Sequence, residues 1–117
     1  MKFIQTGIAP FSIAYTPTAE DQNVNGAVHG GVIFHLCDEA VGRYVTAQGK
    51  AGAAADASIH YYRPARIGER LTAQVSERKI GRRLGVLFVE VQSEQGKRVA
   101  DALFTIAFAE ETAAREK

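Results

Sequence analysis

The pattern of apolar positions predicts one long helix in the first half of the chain. From Gly31 to about Gln48 the apolar residues cover most of a helical wheel, and Gly49 is a typical helix stop. These apolar residues are Val32, Ile33, Phe34, Leu36, Cys37, Ala40, Val41, Tyr44 and Val45. A helix that is apolar nearly all round is predicted to be central and enclosed by other elements.

Strand patterns precede and follow this helix. Residues 11–16 alternate between large apolar and smaller or polar side chains, which predicts a short strand with one buried face, one of one or two strands before the helix. Four later strands are predicted at 53–63, 69–78, 83–93 and 98–108, separated by turns that contain glycine or proline. The last three are predicted to form a meander, and the polar tail 110–117 is predicted to fray.

One apolar helix and an antiparallel sheet indicate a single α+β domain over residues 1–117, with the sheet curling around the helix. A single helix cannot cover both faces of a sheet of five to six strands. Some strands nevertheless carry apolar residues on both faces, as at 86–89. We therefore expect a homo-oligomer, either a dimer or a dimer of dimers.

Composition narrows the choice of partner and compartment. The 117 residues include 14 basic and 13 acidic side chains, for a formal charge of +1, and no long block of like charge. Neither a nucleic acid nor a membrane surface is therefore expected as a partner. One cysteine cannot form an internal disulfide, and Gln5, Gly7 and Pro10 interrupt the early apolar run before it could act as a signal peptide. A cytoplasmic protein is the default expectation.

The stretch "NVNGAVHGGVIFHLCDEA", residues 23–40, carries the candidate chemistry. It contains Asn23, Gly26, a His-Gly-Gly triplet at 29–31 and Asp38, nine residues after the histidine. This spacing resembles that of the hotdog-fold thioesterases, in particular the group typified by the phenylacetate-degradation thioesterase. The later "YYRPARIGERL" is similar to a strand, turn and strand of that group, so the resemblance covers nearly the whole chain. It implies a long central helix wrapped by a curved antiparallel sheet.

The glycine pair is a candidate oxyanion site. Gly30 and Gly31 lie where the helix begins, so their amides have no partner within the helix and point outward at its positive end. Without a Cβ, they let a carbonyl oxygen approach closely. Such donors are typically worth about 10²- to 10³-fold in rate. The alternative is a glycine pair that serves only to make a tight turn.

Asp38 is the candidate base or nucleophile that the resemblance implies. It lies on the side of the helix that carries Gly31 and Gly42, where missing side chains let another group come close. The alternative is an aspartate paired with a partner's arginine at an interface. Its neighbour Glu39 is expected to pair with a basic group and is the second choice of carboxylate.

Two residues before the helix are assigned supporting roles. The side-chain amide of Asn23 suits it to orient the substrate carbonyl or the attacking water, and the alternative is a turn-forming asparagine. His29 is of second rank, because in the resemblance it more often shapes the turn. Some family members hold the water with a Ser or Thr on the strand after the helix. This chain has Ala54 and Ala55 near that position, so Asp56 or Ser58 is the expected substitute.

Helix geometry predicts that the site is shared between two chains. Gly30 and Asp38 are eight residues apart, so their backbones lie about 12 Å apart along the axis at 1.5 Å per residue. Both cannot act on one thioester carbon from the same chain. Each site is therefore expected at a dimer interface, with Asn23 and Gly30 from one protomer and Asp38 from the other.

The resulting hypothesis is an acyl-CoA thioesterase that releases a carboxylic acid and free coenzyme A, with an aryl-CoA among the candidate substrates. Gly31 is expected to bind substrate, and Arg63, Arg82 and Arg83 are candidates to hold its phosphates. No metal or redox cofactor is required, and a metal site at His29, His35 and Asp38 is disfavoured for want of a well-spaced third ligand. Competing hypotheses are an enoyl-thioester hydratase or dehydratase on the same fold, and a non-catalytic acyl-CoA-binding module.

Overall fold

The computed structural model describes residues 1–109, and in it six strands curl around one helix. In chain order the elements are β1 (Ile4–Ile8), β2 (Phe11–Tyr15), a short 3₁₀ helix (Ala19–Asp21), α1 (Gly30–Ala47), β3 (Gly52–Tyr61), β4 (Leu71–Ile80), β5 (Leu84–Gln92) and β6 (Arg98–Phe108). The helix and the four later strands match the predicted segments within two residues at each end. The tail 110–117, predicted to fray, lies outside the described residues.

The sheet has the order β1-β2-β4-β5-β6-β3, and all neighbouring strands are antiparallel. The predicted meander of the last three strands is confirmed: Val89 of β5 pairs with Val75 of β4 on one side and Ala102 of β6 on the other. Strands β1 and β3 therefore form the two edges. The core lies between the concave side of this sheet and α1, with Leu36, Phe104 and other fully buried apolar side chains at its centre.

Strand β1 has no clear signal in the sequence. Its residues are mostly exposed, and its register shifts between Gln5 and Gly7. Gly7 is needed for space, because an added Cβ would lie 2.8 Å from both the Pro10 carbonyl oxygen and the Ser12 hydroxyl. The strand forms because it pairs with β2, and its sequence has no apolar alternation that would predict it.

Strand β2 is more buried than the sequence predicted. The alternation at 11–16 predicted one buried face, but all five residues of β2 are buried. The strand lies between β1 and β4, and Ser12 on its second face shares a 2.8 Å hydrogen bond with the Thr6 hydroxyl. The small side chains on that face are therefore covered by adjacent segments of the same chain and are not exposed to solvent.

Helix α1 is less enclosed than predicted. One side packs into the core through Ile33, Leu36, Cys37, Ala40, Val41 and Val45. The opposite side is exposed along the helix at Gly31, His35, Asp38, Gly42 and Thr46, which we call the open stripe. The sheet curls far enough that Gln5 of β1 and Ala54 of β3 line the same cleft beside this stripe. A single chain therefore leaves one lane of its central helix uncovered.

Candidate active site

The loop before α1 is held in place by hydrogen bonds to distant parts of the chain. The His29 amide donates to the Asp21 carbonyl at 2.8 Å, and the Val28 amide donates to the Ala65 carbonyl at 3.0 Å. The buried Asp21 carboxylate accepts hydrogen bonds from the Thr18 amide, at 2.9 Å, and from the Tyr15 hydroxyl. Burial opposes ionisation of Asp21, but these hydrogen bonds prevail and lower its pKa below the ordinary value. The start of the helix is thus fixed from two sides.

Asn23 makes the turn that leads into this site. Its Oδ1 accepts hydrogen bonds from the Asn25 amide at 2.9 Å and the Ala27 amide at 3.0 Å. Gly26 completes the turn with a φ of 82°, a conformation that favours glycine. The turn-forming role, considered as the alternative for Asn23, is therefore present. Its Nδ2 has no partner among residues 1–109 and is the part of the side chain left for a ligand.

Gly30 and Gly31 form the first turn of α1, and their amides have no acceptor within the described part of the chain. The next two amides, of Val32 and Ile33, donate to the His29 carbonyl at 3.0 and 3.3 Å. Neither glycine has a positive φ. The backbone conformation therefore does not require glycine at either position, and a tight turn alone does not explain the pair.

The two glycines differ in what surrounds them. An added Cβ at Gly31 would meet no atom within 4 Å, whereas one at Gly30 would lie 3.1 Å from the Tyr61 Cζ and hydroxyl oxygen. Gly31 is exposed and Gly30 is half-buried. His29 is the N-cap residue, yet its side chain makes no capping hydrogen bond, so it shapes the turn through its backbone.

The two adjacent carboxylates of α1 differ in their hydrogen-bond and ion-pair partners. Glu39 forms a 2.8 Å ion pair with Arg43, as predicted for a residue paired with a basic group. Asp38 is exposed on the open stripe and has no hydrogen bond or ion pair to residues 1–109. Both carboxylates line a cleft of about 850 Å³, together with Gly42 and Ala54, so they differ in their partners rather than in their access to it. Asp38 is therefore the carboxylate of this pair that is free to act on a ligand.

The expected substitutes for the family's Ser or Thr lie on the outer side of β3. Ala57 and Ile59 pack on the core, so the alternating Asp56 and Ser58 face the outer side of the sheet. Ser58 pairs with Leu103 and lines a hollow there. Within one chain, neither residue therefore lies with the free amides of Gly30 and Gly31, and their role as substitutes for the missing hydroxyl stays a prediction.

The candidate phosphate-binding arginines lie at opposite ends of the molecule. Arg63 follows β3, at the end of the sheet where the helix begins. Arg82 and Arg83 lie in the turn after β4, and ten residues of strand at about 3.3 Å each separate the two ends by roughly 33 Å. Within one chain, the structure does not bring these three arginines together.

Tyr61 is a site residue that the sequence did not single out. It is the last residue of β3, and its hydroxyl donates a 2.7 Å hydrogen bond to the Gly30 carbonyl. Burial, followed by the nearby Cys37, raises the pKa of Tyr61 above its ordinary value, so the hydroxyl stays protonated as a donor. The two adjacent tyrosines at the end of a predicted strand could have been noticed in the sequence. No pattern of neighbouring residues, however, indicates a contact between Tyr61 and Gly30.

Two other features of the described residues bear on the site. No three His, Cys, Asp or Glu side chains of residues 1–109 are grouped so that they could hold a metal ion. His35 instead lies against the Phe3 ring, with 5.4 Å between ring centroids. Over the same range, no helix is long and apolar enough to cross a membrane.

Comparison with known proteins identifies the class. A family model described as the thioesterase superfamily matches residues 25–100. Acyl-coenzyme A thioesterase PaaI of Escherichia coli is 35% identical over 88 residues, which are 75% of this chain and 63% of PaaI. A Deinococcus radiodurans protein is 36% identical over 96 residues, which are 81% of this chain and 65% of that protein. The chain thus spans less than two thirds of the length of these curated relatives.

Solved structures show the same architecture. The structure of E. coli PaaI, from the phenylacetic acid degradation operon, has a TM-score of 0.86 at 29% identity and covers 90% of this chain and 82% of its own. A Streptococcus mutans protein, solved with acetyl-CoA bound, has a TM-score of 0.88 at 25% identity and covers 93% and 90% of the two chains. The hotdog fold predicted from the resemblance is confirmed. The chain belongs to the thioesterase superfamily, and it is similar to the phenylacetate-degradation group within it.

Proposed function

We propose that this protein is an acyl-CoA thioesterase that hydrolyses a thioester to a carboxylic acid and free coenzyme A. The observation that carries the proposal concerns one helix: among residues 1–109, its first two amides have no acceptor, and Asp38 on its open stripe has no hydrogen-bond or ion-pair partner. Membership of the thioesterase superfamily supports it, as do the similarity to PaaI and the acetyl-CoA bound in the S. mutans structure.

The free amides suit the charge that develops during hydrolysis. Attack on the thioester carbon places negative charge on the carbonyl oxygen, and the Gly30 amide, with that of Gly31, stabilises this oxyanion at the positive end of the helix. The tetrahedral intermediate then collapses and the carbon–sulfur bond breaks. The thiolate leaves as free coenzyme A after it takes up a proton, which comes from Asp38 if that residue acted as base and from solvent if it acted as nucleophile. His29 contributes by holding the backbone of this turn.

Asp38 supplies the attacking group in one of two ways. As a general base it takes a proton from water, whose oxygen bonds to the carbon. As a nucleophile its own oxygen forms an anhydride, which water then hydrolyses. The free Nδ2 of Asn23 donates a hydrogen bond to the substrate carbonyl or to the attacking water, since its Oδ1 is used by the turn.

The site lies between two copies of this chain. The amide of Gly30 and the carboxylate of Asp38 are on one helix, about 12 Å apart along its axis, which is too far for both to reach one carbon. We assign the exposed edge of β3 and the open stripe as the surfaces that a second copy contacts. A twofold homodimer then forms two equal sites, and a dimer of dimers is the next level of assembly.

The same arrangement groups the basic side chains. If the β3 edges of two protomers pair antiparallel, their ends exchange positions, so Arg63 of one chain lies at the same end as Arg82 and Arg83 of the other. These guanidinium groups are suited to the phosphates of coenzyme A. The single cysteine, Cys37, is buried and free, which accords with the reducing cytoplasm as the site of action.

The test is a panel of aryl, hydroxylated and aliphatic CoA thioesters, assayed for release of free thiol. At least one is expected to be hydrolysed with release of equal amounts of acid and thiol. Loss or gain of enoyl absorbance without thiol release would instead identify a hydratase or dehydratase. Tight binding of acyl-CoA with no turnover on any member would identify a binding module.

A further inference from the structure

Tyr61 joins an edge strand to the first turn of the helix. Its hydroxyl donates a 2.7 Å hydrogen bond to the Gly30 carbonyl, across 31 residues of sequence. The end of its ring lies so close to Gly30 that an added Cβ would be 3.1 Å from it. Tyr61 therefore adds a second hydrogen bond to a carbonyl that the helix already uses, and it occupies the space beside the residue to which we assign the oxyanion donor.

The same hydrogen bond acts on the amide of Gly31. The Gly30 carbonyl and the Gly31 N–H belong to one planar peptide group, in which they point in opposite directions. A hydrogen bond accepted at the carbonyl polarises the group and strengthens its N–H as a donor, by about 10–30% per bond in a network. Because the Gly31 amide has no acceptor among residues 1–109, this added polarity is available to a ligand.

The neighbouring Tyr62 provides a natural contrast. Its hydroxyl donates a 2.9 Å hydrogen bond to the Asp101 carboxylate, which lines a hollow on the outer face of the sheet. The two tyrosines are similarly exposed, at 48% for Tyr61 and 55% for Tyr62. They therefore differ mainly in what their hydroxyls bind.

We propose that Tyr61 is a positioning residue of the thioester site, which holds the Gly30–Gly31 peptide group so that the free amides at the helix start face the substrate carbonyl. This inference rests on the proposed thioesterase function. Tyr61 acts through Gly30 and has no direct contact with the reacting atoms, so its effect falls on the rate of the chemical step rather than on substrate binding.

The experiment compares Tyr61→Phe with the matched control Tyr62→Phe, since each removes one hydroxyl and leaves the ring. With the best thioester of the panel, Tyr61→Phe is expected to lower kcat about 10-fold with KM within twofold, which is less than the roughly 10²-fold typical of a lost oxyanion donor. Tyr62→Phe is expected to keep the wild-type kcat. Thermal unfolding of both variants separates this effect from a loss of stability. Tyr61→Leu, which also lacks the hydroxyl, is the second variant and should lose at least as much.

A further measurement is independent of turnover. In amide NMR spectra, the Gly31 N–H proton is expected to move upfield in Tyr61→Phe and not in Tyr62→Phe, because the Gly30 carbonyl then accepts only the hydrogen bond of the helix and loses the one from Tyr61. An unshifted Gly31 amide would overturn the proposal.

The kinetic outcomes distinguish the two levels of inference. A wild-type enzyme that releases thiol, with equal kcat in Tyr61→Phe and Tyr62→Phe, would overturn the role of Tyr61 and leave the thioesterase in place. A raised KM with unchanged kcat would also overturn it, since that is the mark of a binding contact. A wild-type protein that releases thiol from no member of the panel would overturn both.

Discussion

The carboxylate of Glu39 is bound to Arg43 one helical turn later, with 2.8 Å between Oε2 and Nε. Its neighbour Asp38 projects about 100° away around the helix and is unpaired within the described residues, although both carboxylates line the cleft beside the open stripe. Two adjacent acidic residues thus differ in their partners. Glu39 contributes to the helix surface, where such an (i, i+4) pair is worth about 0.3–0.5 kcal/mol. Asp38, which has no partner among residues 1–109, is the carboxylate for which we propose the catalytic role.

This difference leads to the first prediction. Asp38→Asn keeps the shape and removes the charge, so thioester turnover should fall by at least about 10²-fold while the circular dichroism spectrum and Tm stay near wild type. Glu39→Gln breaks only the pair with Arg43, so its turnover should change by less than about threefold. Steady-state thiol release measures both. An exchange of these effects between the two variants would show that the wrong carboxylate has been assigned.

Substitution by alanine is expected to change the stability in opposite directions at Gly31 and Gly30. Gly31→Ala has free space for its methyl group, so its Tm should equal or exceed that of the wild type, but kcat/KM should fall at least about 10-fold because the methyl group obstructs the approaching carbonyl. Gly30→Ala should lower the Tm, because its Cβ would lie 3.1 Å from the end of the Tyr61 ring and would displace the hydroxyl from its hydrogen bond to the Gly30 carbonyl. A fully active Gly31→Ala would mean that no substrate atom approaches this amide.

The shared site can be tested by complementation. Asn23→Ala and Asp38→Ala are each expected to be nearly inactive. When equal amounts are unfolded, mixed and refolded, half of the dimers should be mixed, and each mixed dimer has one intact site and one doubly defective site. About a quarter of the activity of identically refolded wild type should return. No recovery, with mixed dimers demonstrated by mass spectrometry, would place the whole site within one chain.

The open stripe predicts where a second copy must lie. Gly42 is exposed at its centre, and an added Cβ would meet no atom within 4 Å of the same chain. Gly42→Gln should therefore leave the fold of the protomer intact, since glutamine is the better helix former, yet shift the dimer toward monomer by at least about 10-fold in dissociation constant. Sedimentation velocity over a range of concentrations measures this shift.

The control for this prediction is Ser76→Gln, which adds a similar side chain at an exposed position of β4 on the outer face of the sheet. It should leave the dimer unchanged. A Gly42→Gln protein that sediments like the wild type would show that the stripe is not an interface. A wild type that is a stable monomer at micromolar concentration would contradict the proposed assembly altogether.

Much of the fold and part of the site follow from local signals in the sequence. The apolar helix, the four later strands and their turns are encoded by periodicity and by glycine or proline at the turns, which act over a few neighbouring residues. The spacing from Asn23 through the glycine pair to Asp38 indicates the family, because one loop and one helix carry all of these residues. The distance between Gly30 and Asp38 follows from helix geometry alone.

The tertiary structure decided what depends on partners far along the chain. Strand β1 exists through its pairing with β2, and the second face of β2 is buried for the same reason. The exposure of Asp38 depends on how far the two sheet edges, β1 and β3, reach around the helix. The contact between Tyr61 and Gly30 joins a strand end to a helix start across 31 residues. Burial and hydrogen-bond partners across such separations are set by the packing of the whole chain, so no local pattern records them.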